Sequence, residues 1–567
     1  MGHVQLNVCC NTDDAFLVWK ADEIDGCLGF AIERQWLQTS VTGRVLHQSE
    51  YLLNRVGFAT DVAAGPGQYQ PSNVWPFQRY NWTDHDLSLN DMARYRIVPM
   101  VGAVGDLRAE LDAASAWVEA SAQQPENGRL SCFFNRPMAA SPWMARIAAE
   151  HDITSSSKLV QTIANVASDF LRDFCGGTLI FALRNLFDYA DSHPHVHLYA
   201  ALFELEDEEI IHRFCKLGGR AHIVLSNGSA KPKNLDVNQE GRQLVHNAGC
   251  DVIDRMTPVG DLGHNKFIVI VDDAQPVRVW TGSTNLTPTG IFTQINNAIL
   301  IDSAELADQY LTQWKRLAAA ESAAPSTLKA DNPAPGAGTK DPAAIEPWFA
   351  PTVKKLDLVR LQELVDGAQE GILFLTFMPG PSGPILDVLK ARAKGAYVRG
   401  VLNQFVDDKQ HTLHAELIDG SANDPMNLDA ITPSGIKAQF SFWASEFMKG
   451  GKISVLVHSK VLCIDPFGEN PIVVTGSHNF SPSASEGNDE NFLVIQGDKD
   501  LARSYAAHII SVYNHYRWRQ YVAATLAAGN TPWQKLEGAA TWQNSRLHSV
   551  KQIAEWKFWL DGSKQGA

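Results

Sequence analysis

The sequence predicts an α/β chain of two similar halves, mixed sheets flanked by helices, packed about a pseudo-twofold axis behind a β-sandwich-like region. Three observations carry that prediction. Two long stretches repeat one order of strands and helices. Each repeat reaches a closely similar segment, HNKFIVIVD at 264–272 and VHSKVLCID at 457–465, and each is followed by a Gly-Ser-x-Asn turn. The first hundred residues instead carry short β-like runs and no helical period.

In residues 1–105, DAFLVWK places Trp19 in a strand, GFAIERQ alternates, and RYNWTD and ARYRIVPMVG follow. This order resembles a fibronectin type III domain, with Tyr95 where a tyrosine corner would lie. The first half spans 121–317. There HVHLYAALFEL reads as a strand, DEEIIHRFCKL as a helix ended at Gly218, and RAHIVLS as the next strand. GRQLVHNAGC gives a second helix and CDVIDR a short strand before HNKFIVIVD. Residues 318–346, rich in Ala, Pro, Gly and Ser, read as a linker. In the second half, 347–520, GILFLTF is a strand, ILDVLKARAKG a helix, AYVRGVL a strand, and VHSKVLCID closes the series. Strands alternating with helices imply parallel pairing within each half. Residues 521–567 predict a helical tail whose aromatics pack as core.

Bulk properties narrow the function. The 567-residue chain is too long for one core. A net charge of −15 disfavours a protein whose main work is gripping long nucleic acid, so no stable nucleic-acid partner is expected. The eight cysteines are dispersed without C-x-x-C spacing, which predicts neither a zinc site nor a disulfide framework. No run of eighteen apolar residues and no standard secretory signal occurs. Cytoplasmic synthesis is expected, with any export by a route that lacks a cleaved signal.

The paired segments carry the chemistry. In each, histidine and lysine stand two apart, so in a strand His264 and Lys266 face one side, as do His458 and Lys460. The histidine-to-glycine offset is 18 in both copies (His264 to Gly282, His458 to Gly476), and Asn285 and Asn479 each lie 21 beyond their histidine. A lysine ammonium suits a phosphate oxygen; the Asn amide and the hydroxyls of Ser283 and Ser477 can donate to others. Two halves facing each other supply two imidazoles, one to attack phosphorus and one to protonate the leaving oxygen. An acidic partner on each ring would fix its tautomer.

H-x-K-x4-D with G-S-x-N, present twice, resembles the signature of the phospholipase D superfamily over about residues 125–515. The resemblance implies two phospholipase D-type halves and a metal-independent phosphodiesterase or phosphatidyltransferase, without cofactor, working through a covalent phosphohistidine. It makes His264 the nucleophile and His458 the general acid, then base; the sequence alone leaves the reverse order open. Lys266, Lys460, Asn285 and Asn479 would hold the phosphoryl oxygens. Glu490 would support the opposite half's histidine, and its first-half counterpart is Asn296. Asp465 is in register, whereas five residues separate Lys266 from Asp272, so Val271 aligns with Asp465. A bulge could restore Asp272, or Asp272 or Asp273 could serve from the turn; the aspartates are mostly structural in this family.

The same core serves lipid and nucleic-acid diesters. The acidic charge and both halves in one chain, which also predict a monomer, point to a phospholipase D acting on glycerophospholipid at a membrane or micelle surface. Its products would be phosphatidic acid and a head-group alcohol, with transphosphatidylation; the alternative is a metal-independent nuclease. KAQFSFWASEFMKGGK at 437–452 places Phe440, Phe442, Trp443, Phe447 and Met448 between lysines. That segment reads either as a loop that dips into a lipid interface or as a buried strand and helix.

Overall fold

The structure is a computed structural model that describes residues 4–61, 69–126, 128–136, 162–163, 169–229, 236–335, 338–377, 396–403, 428–431, 457–527, 529 and 535–561. The 437–452 segment and the expected helix ILDVLKARAKG lie outside the described residues.

Two larger antiparallel sheets, with a two-stranded one of Leu53–Asn54 and Gln70–Pro71 beside them, build the N-terminal region. Gln5–Cys10, Ala15–Lys20 and Asn81–Asp84 form one; Val118–Ser121, Met92–Ala103, Cys27–Gln38 and Ser49–Tyr51 form the other in that order. Trp19, Phe30 and Tyr80 are fully buried, and the Trp19 and Phe30 rings meet edge to face at 5.8 Å. The sheet does not stop at residue 105, because Val118–Ser121 pairs with Met92–Tyr95. Tyr95 does not make the backbone bond of a tyrosine corner. Its hydroxyl donates to the Asp84 carboxylate at 2.8 Å, beside the buried Arg34–Asp84 ion pair.

The C-terminal tail closes this region. Trp542 Nε1 donates to the Cys27 carbonyl at 2.9 Å and Trp556 Nε1 to that of Trp19 at 2.6 Å. Trp559 packs between Phe16 (4.7 Å) and Phe467 (5.1 Å), tying the N-terminal sheet to the second half. The helix before the tail, Lys499–Ala527, runs straight through residue 520, where the tail was expected to begin.

The halves repeat one topology. In the first the strand order is Leu130–Phe134, Asn297–Asp302, Gln275–Gly282, Lys266–Asp272, Val196–Leu202, Ala221–Ser226 and Asp251–Arg255. In the second it is Ala344–Ala350, Asn488–Gln496, Ile472–Gly476, Val461–Ile464, Gly371–Thr376, Tyr397–Leu402 and Leu428–Ile431. The last three strands of each list pair in parallel, and the rest are antiparallel. Parallel pairing therefore accounts for only part of each sheet, since the histidine segment opens an antiparallel meander. The expected linker is shorter than 318–346. The helix Ala304–Ala320 enters it, Leu328 is buried on a 3₁₀ turn, and the strand Ala344–Ala350 starts inside it.

Local sequence explains the helix that supports the first sheet. Asp207 caps Glu208–Leu217 by accepting from Ile210 N, Gly218 ends it at φ 55°, and Ile210, Ile211, Phe214 and Leu217 face the core. Among the described residues no helix is long and apolar enough to cross a membrane.

Candidate active site

Each half hands backbone to the other at the histidines. Leu262–Gly263 pairs in parallel with Asn488–Asp489, and His264 N donates to Asp489 O at 2.9 Å. The mirrored contact is His458 N to Ile295 O, also 2.9 Å. His264, Lys266, His458 and Lys460 therefore converge on one interface, each no more than 5 % exposed. They sit at the entrance of their strands, where each lysine ammonium donates to its own histidine's carbonyl, at 2.9 Å for Lys266 and 2.5 Å for Lys460. Phe203 lies 4.6 Å from the His264 ring and Phe377 lies 5.0 Å from that of His458.

The Gly-Ser-x-Asn turns are set by close packing. A side chain on Gly282 or Gly476 would strike the facing carbonyl of Asn297 or Asn491. Immediately afterwards Thr287 and Ser481 cap short helices, each followed by a proline in the first turn. The first cap lies two residues beyond Asn285, whose side chain reaches the pocket, and the second lies two residues beyond Asn479. Ser283 and Ser477 were expected beside the phosphate and are not available to it. Their hydroxyls donate to Asn296 Oδ1 and Glu490 Oε2, at 2.7 Å in each case. They brace the groups that orient the histidines.

Those orienting groups cross the pseudo-twofold. His264 Nδ1 lies 2.7 Å from Glu490 Oε2; His458 Nδ1 lies 3.0 Å from Asn296 Oδ1 and 3.0 Å from Ser283 O. All are acceptors, so each Nδ1 carries its proton and each Nε2 is left with a lone pair. The next residue repeats the exchange. Asn297 Nδ2 donates to Thr475 and Tyr505, and Asn491 Nδ2 to Thr281 and Tyr310. The sequence reading missed this Asn297/Asn491 pair, although an asparagine directly follows both Asn296 and Glu490.

Burial dominates the electrostatics. It lowers the His264 pKa to about 4, against the opposing pull of Glu490, and lowers that of His458 well below the usual value with help from Lys460 and Lys266. Burial likewise brings Lys266 down to about 8 and Lys460 well below its ordinary range. Glu490 is pushed up by burial, yet its contact with His264 holds it below the usual carboxylate value overall. The resting site thus presents two neutral imidazoles.

The two aspartates part company. Asp465 takes φ 47° and leaves the ladder; its carboxylate accepts from the backbone N–H groups of Gln369 (2.8 Å), Glu370 (2.7 Å) and Gly371 (2.9 Å). Asp272 does not take that role. The first-half strand continues to Asp272, opposite Val196, and its carboxylate accepts from Tyr189 OH at 2.9 Å. The irregularity in this hairpin falls on the partner strand, so it does not bring Asp272 into register. Asp273 is exposed in the turn. A further residue that sequence reading passed over does enter the pocket: Glu204 accepts a hydrogen bond from Asn285 Nδ2.

The family model described as cardiolipin synthase, PLD-like domain, matches residues 361–513. No curated protein matches the chain. Among solved structures, the chain is similar to polyphosphate kinase from Porphyromonas gingivalis, at 12% identity and TM-score 0.40, over 61% of this chain and 49% of that one. It thus spans about half of that kinase. It is also similar to Nuc from Salmonella typhimurium, a phospholipase D family member, at 22% identity and TM-score 0.22, over 30% of this chain and 94% of that one. A third is phosphatidylserine synthase from Haemophilus influenzae Rd KW20, at 11% identity and TM-score 0.35, over 68% of this chain and 92% of that one.

Proposed function

We propose that the chain is a phosphodiesterase of the phospholipase D superfamily, and within it a phospholipase D working through a phosphohistidine; the match of residues 361–513 to the cardiolipin synthase, PLD-like domain model supports this reading. The observation that carries this reading is the crossed pair of buried rings, each with Nδ1 engaged by the opposite half and both within the field of Lys266 and Lys460. His264 Nε2 attacks phosphorus, the bond to the departing alcohol oxygen breaks, and that oxygen takes a proton from His458. Water, or a second alcohol, then gives its proton to His458 and attacks phosphorus, and the P–N bond breaks.

The order of the histidines follows from the broken symmetry. A phosphorylated imidazole that keeps its Nδ1 proton is cationic, and only His264 has a carboxylate to stabilise it. Asn296 cannot offset charge, so protonated His458 gives up its proton readily. The diester's negative charge favours loading that proton on a ring otherwise discharged by burial and by Lys460 and Lys266. The lysines and asparagines stabilise the equatorial oxygens, an effect worth several kcal/mol in comparable sites, about 3 per well-placed donor.

A lipid diester suits the charge balance. Among the described residues two lysines face two carboxylates, Glu490 and Glu204, which leaves no surplus cation there for the flanking phosphates of a polynucleotide. The test is incubation with phosphatidylcholine and ethanol, and separately with single- and double-stranded DNA, all in EDTA. Phosphatidylethanol is the expected product. DNA cleavage without lipid turnover overturns the lipid assignment.

A further inference from the structure

Glu204 has no step in that mechanism, yet it is built into the site. The chain leaving the strand Val196–Leu202 is clamped from two sides. Leu205 N donates to Asn238 Oδ1 (2.9 Å) and Asn238 Nδ2 to Phe203 O (2.8 Å). Leu286 N donates to Glu204 O (3.3 Å), and Glu206 N and Asp207 N both donate to Leu286 O (3.0 Å). The segment is thereby fixed against the residues that follow Asn285, and the Glu204 carboxylate accepts the Asn285 amide N–H. That amide is the donor a phosphoryl oxygen would use.

The acid is not demanded by the fold. The two halves read L-F-E at 202–204 and T-F-M at 376–378, with Phe203 and Phe377 each beside its own histidine, so the related position carries Met378. The charged and titratable groups acting on Glu204 are Lys266, Lys460 and Glu206, with Glu490 and the two neutral histidines completing the pocket. Across the pocket Lys266 and Lys460 balance Glu490 and Glu204. A diester brings one negative charge and a dianionic monoester brings two.

We propose that Glu204 sets the charge the site accepts. Its carboxylate occupies the phosphoryl-oxygen seat on Asn285, yields to a singly charged diester by taking one proton from solvent, and turns away doubly charged monoesters, the product class of the reaction. Burial raises this carboxyl to about 7, against the pull of Lys266, so the proton is within reach at neutral pH. The inference rests on the phosphate seat described above, and holds for a lipid or any other diester.

Calorimetry on the full chain separates the cases, using sulfate as a permanent dianion and dimethyl phosphate as a monoanion. At about pH 8.5 Glu204→Gln should bind sulfate roughly tenfold more tightly than the native protein, and the gap should close near about pH 6. In two buffers of different ionisation enthalpy, native protein should take up about one proton more with dimethyl phosphate than Glu204→Gln does, because His458 and the lysines load alike in both. Glu204→Met, the residue at the related second-half position, is the second variant and should behave like Glu204→Gln. Equal sulfate affinities at the higher pH, or equal proton uptake by native protein and both variants, overturn the proposal. Absence of anion binding by both proteins overturns the phosphate seat itself, whereas failed lipid turnover with these anion results intact removes only the choice of substrate.

Discussion

His264 of the first half and Glu490 of the second share a hydrogen bond of 2.7 Å, while the mirrored pair, His458 and Asn296, meets at 3.0 Å without a formal charge. In the proposed mechanism this departure from symmetry gives the two histidines different work. Removing the charge while keeping the shape should therefore be costly. Glu490→Gln is expected to lower kcat by about 100-fold with KM little changed, as for other partners that orient a catalytic ring. Steady-state kinetics on a soluble diester checks this, and a near-native kcat would mean that the carboxylate does not support the intermediate.

Protonation of His264, the proposed nucleophile, gives an independent prediction. His264 should remain neutral down to about pH 4, because burial outweighs Glu490. Of the groups acting on the ring, Glu490 is the one that raises its pKa, so Glu490→Gln should move the titration lower still. An NMR titration of the ring measures both. A midpoint in the native protein near 6.5, the ordinary histidine value, would contradict the buried, water-poor site.

The aspartates should separate by stability and not by rate. Asp465 satisfies three backbone N–H groups and Asp272 one tyrosine hydroxyl. Asp465→Ala is expected to cost about 2–3 kcal/mol and Asp272→Ala about 1 kcal/mol in denaturant unfolding. Turnover per folded molecule should stay near native in both. A large loss of kcat in folded Asp465→Ala would place that residue in the chemistry.

Much of this was legible in the sequence because it is local and repeated. Period-two spacing places His264 with Lys266 and His458 with Lys460, and equal offsets bring Asn285 and Asn479 to corresponding positions. What the sequence hid depends on contacts across hundreds of residues. Ser283 and Ser477 carry free hydroxyls in any linear reading, but in the fold Asn296 and Glu490 claim them first. Glu204 reads as the polar end of a strand; only the pairing of its segment with Leu286 turns it into the pocket. Asp272 escapes a linear reading for a related reason. A one-residue shift reverses a side chain in a regular strand, and here the strand simply runs on. The N-terminal region extends to Ser121 and is closed by Trp542, Trp556 and Trp559, which no local period announces.

In the proposed mechanism phosphorus passes through His264. An activated diester such as bis(4-nitrophenyl) phosphate has a leaving group that needs no proton, so His458→Ala should still be phosphorylated but unable to release the adduct. Mass spectrometry of that variant, quenched in base after mixing, should find the phosphoryl adduct on His264. An adduct on any other residue, or an unmodified protein that has nonetheless released nitrophenol, would contradict the account.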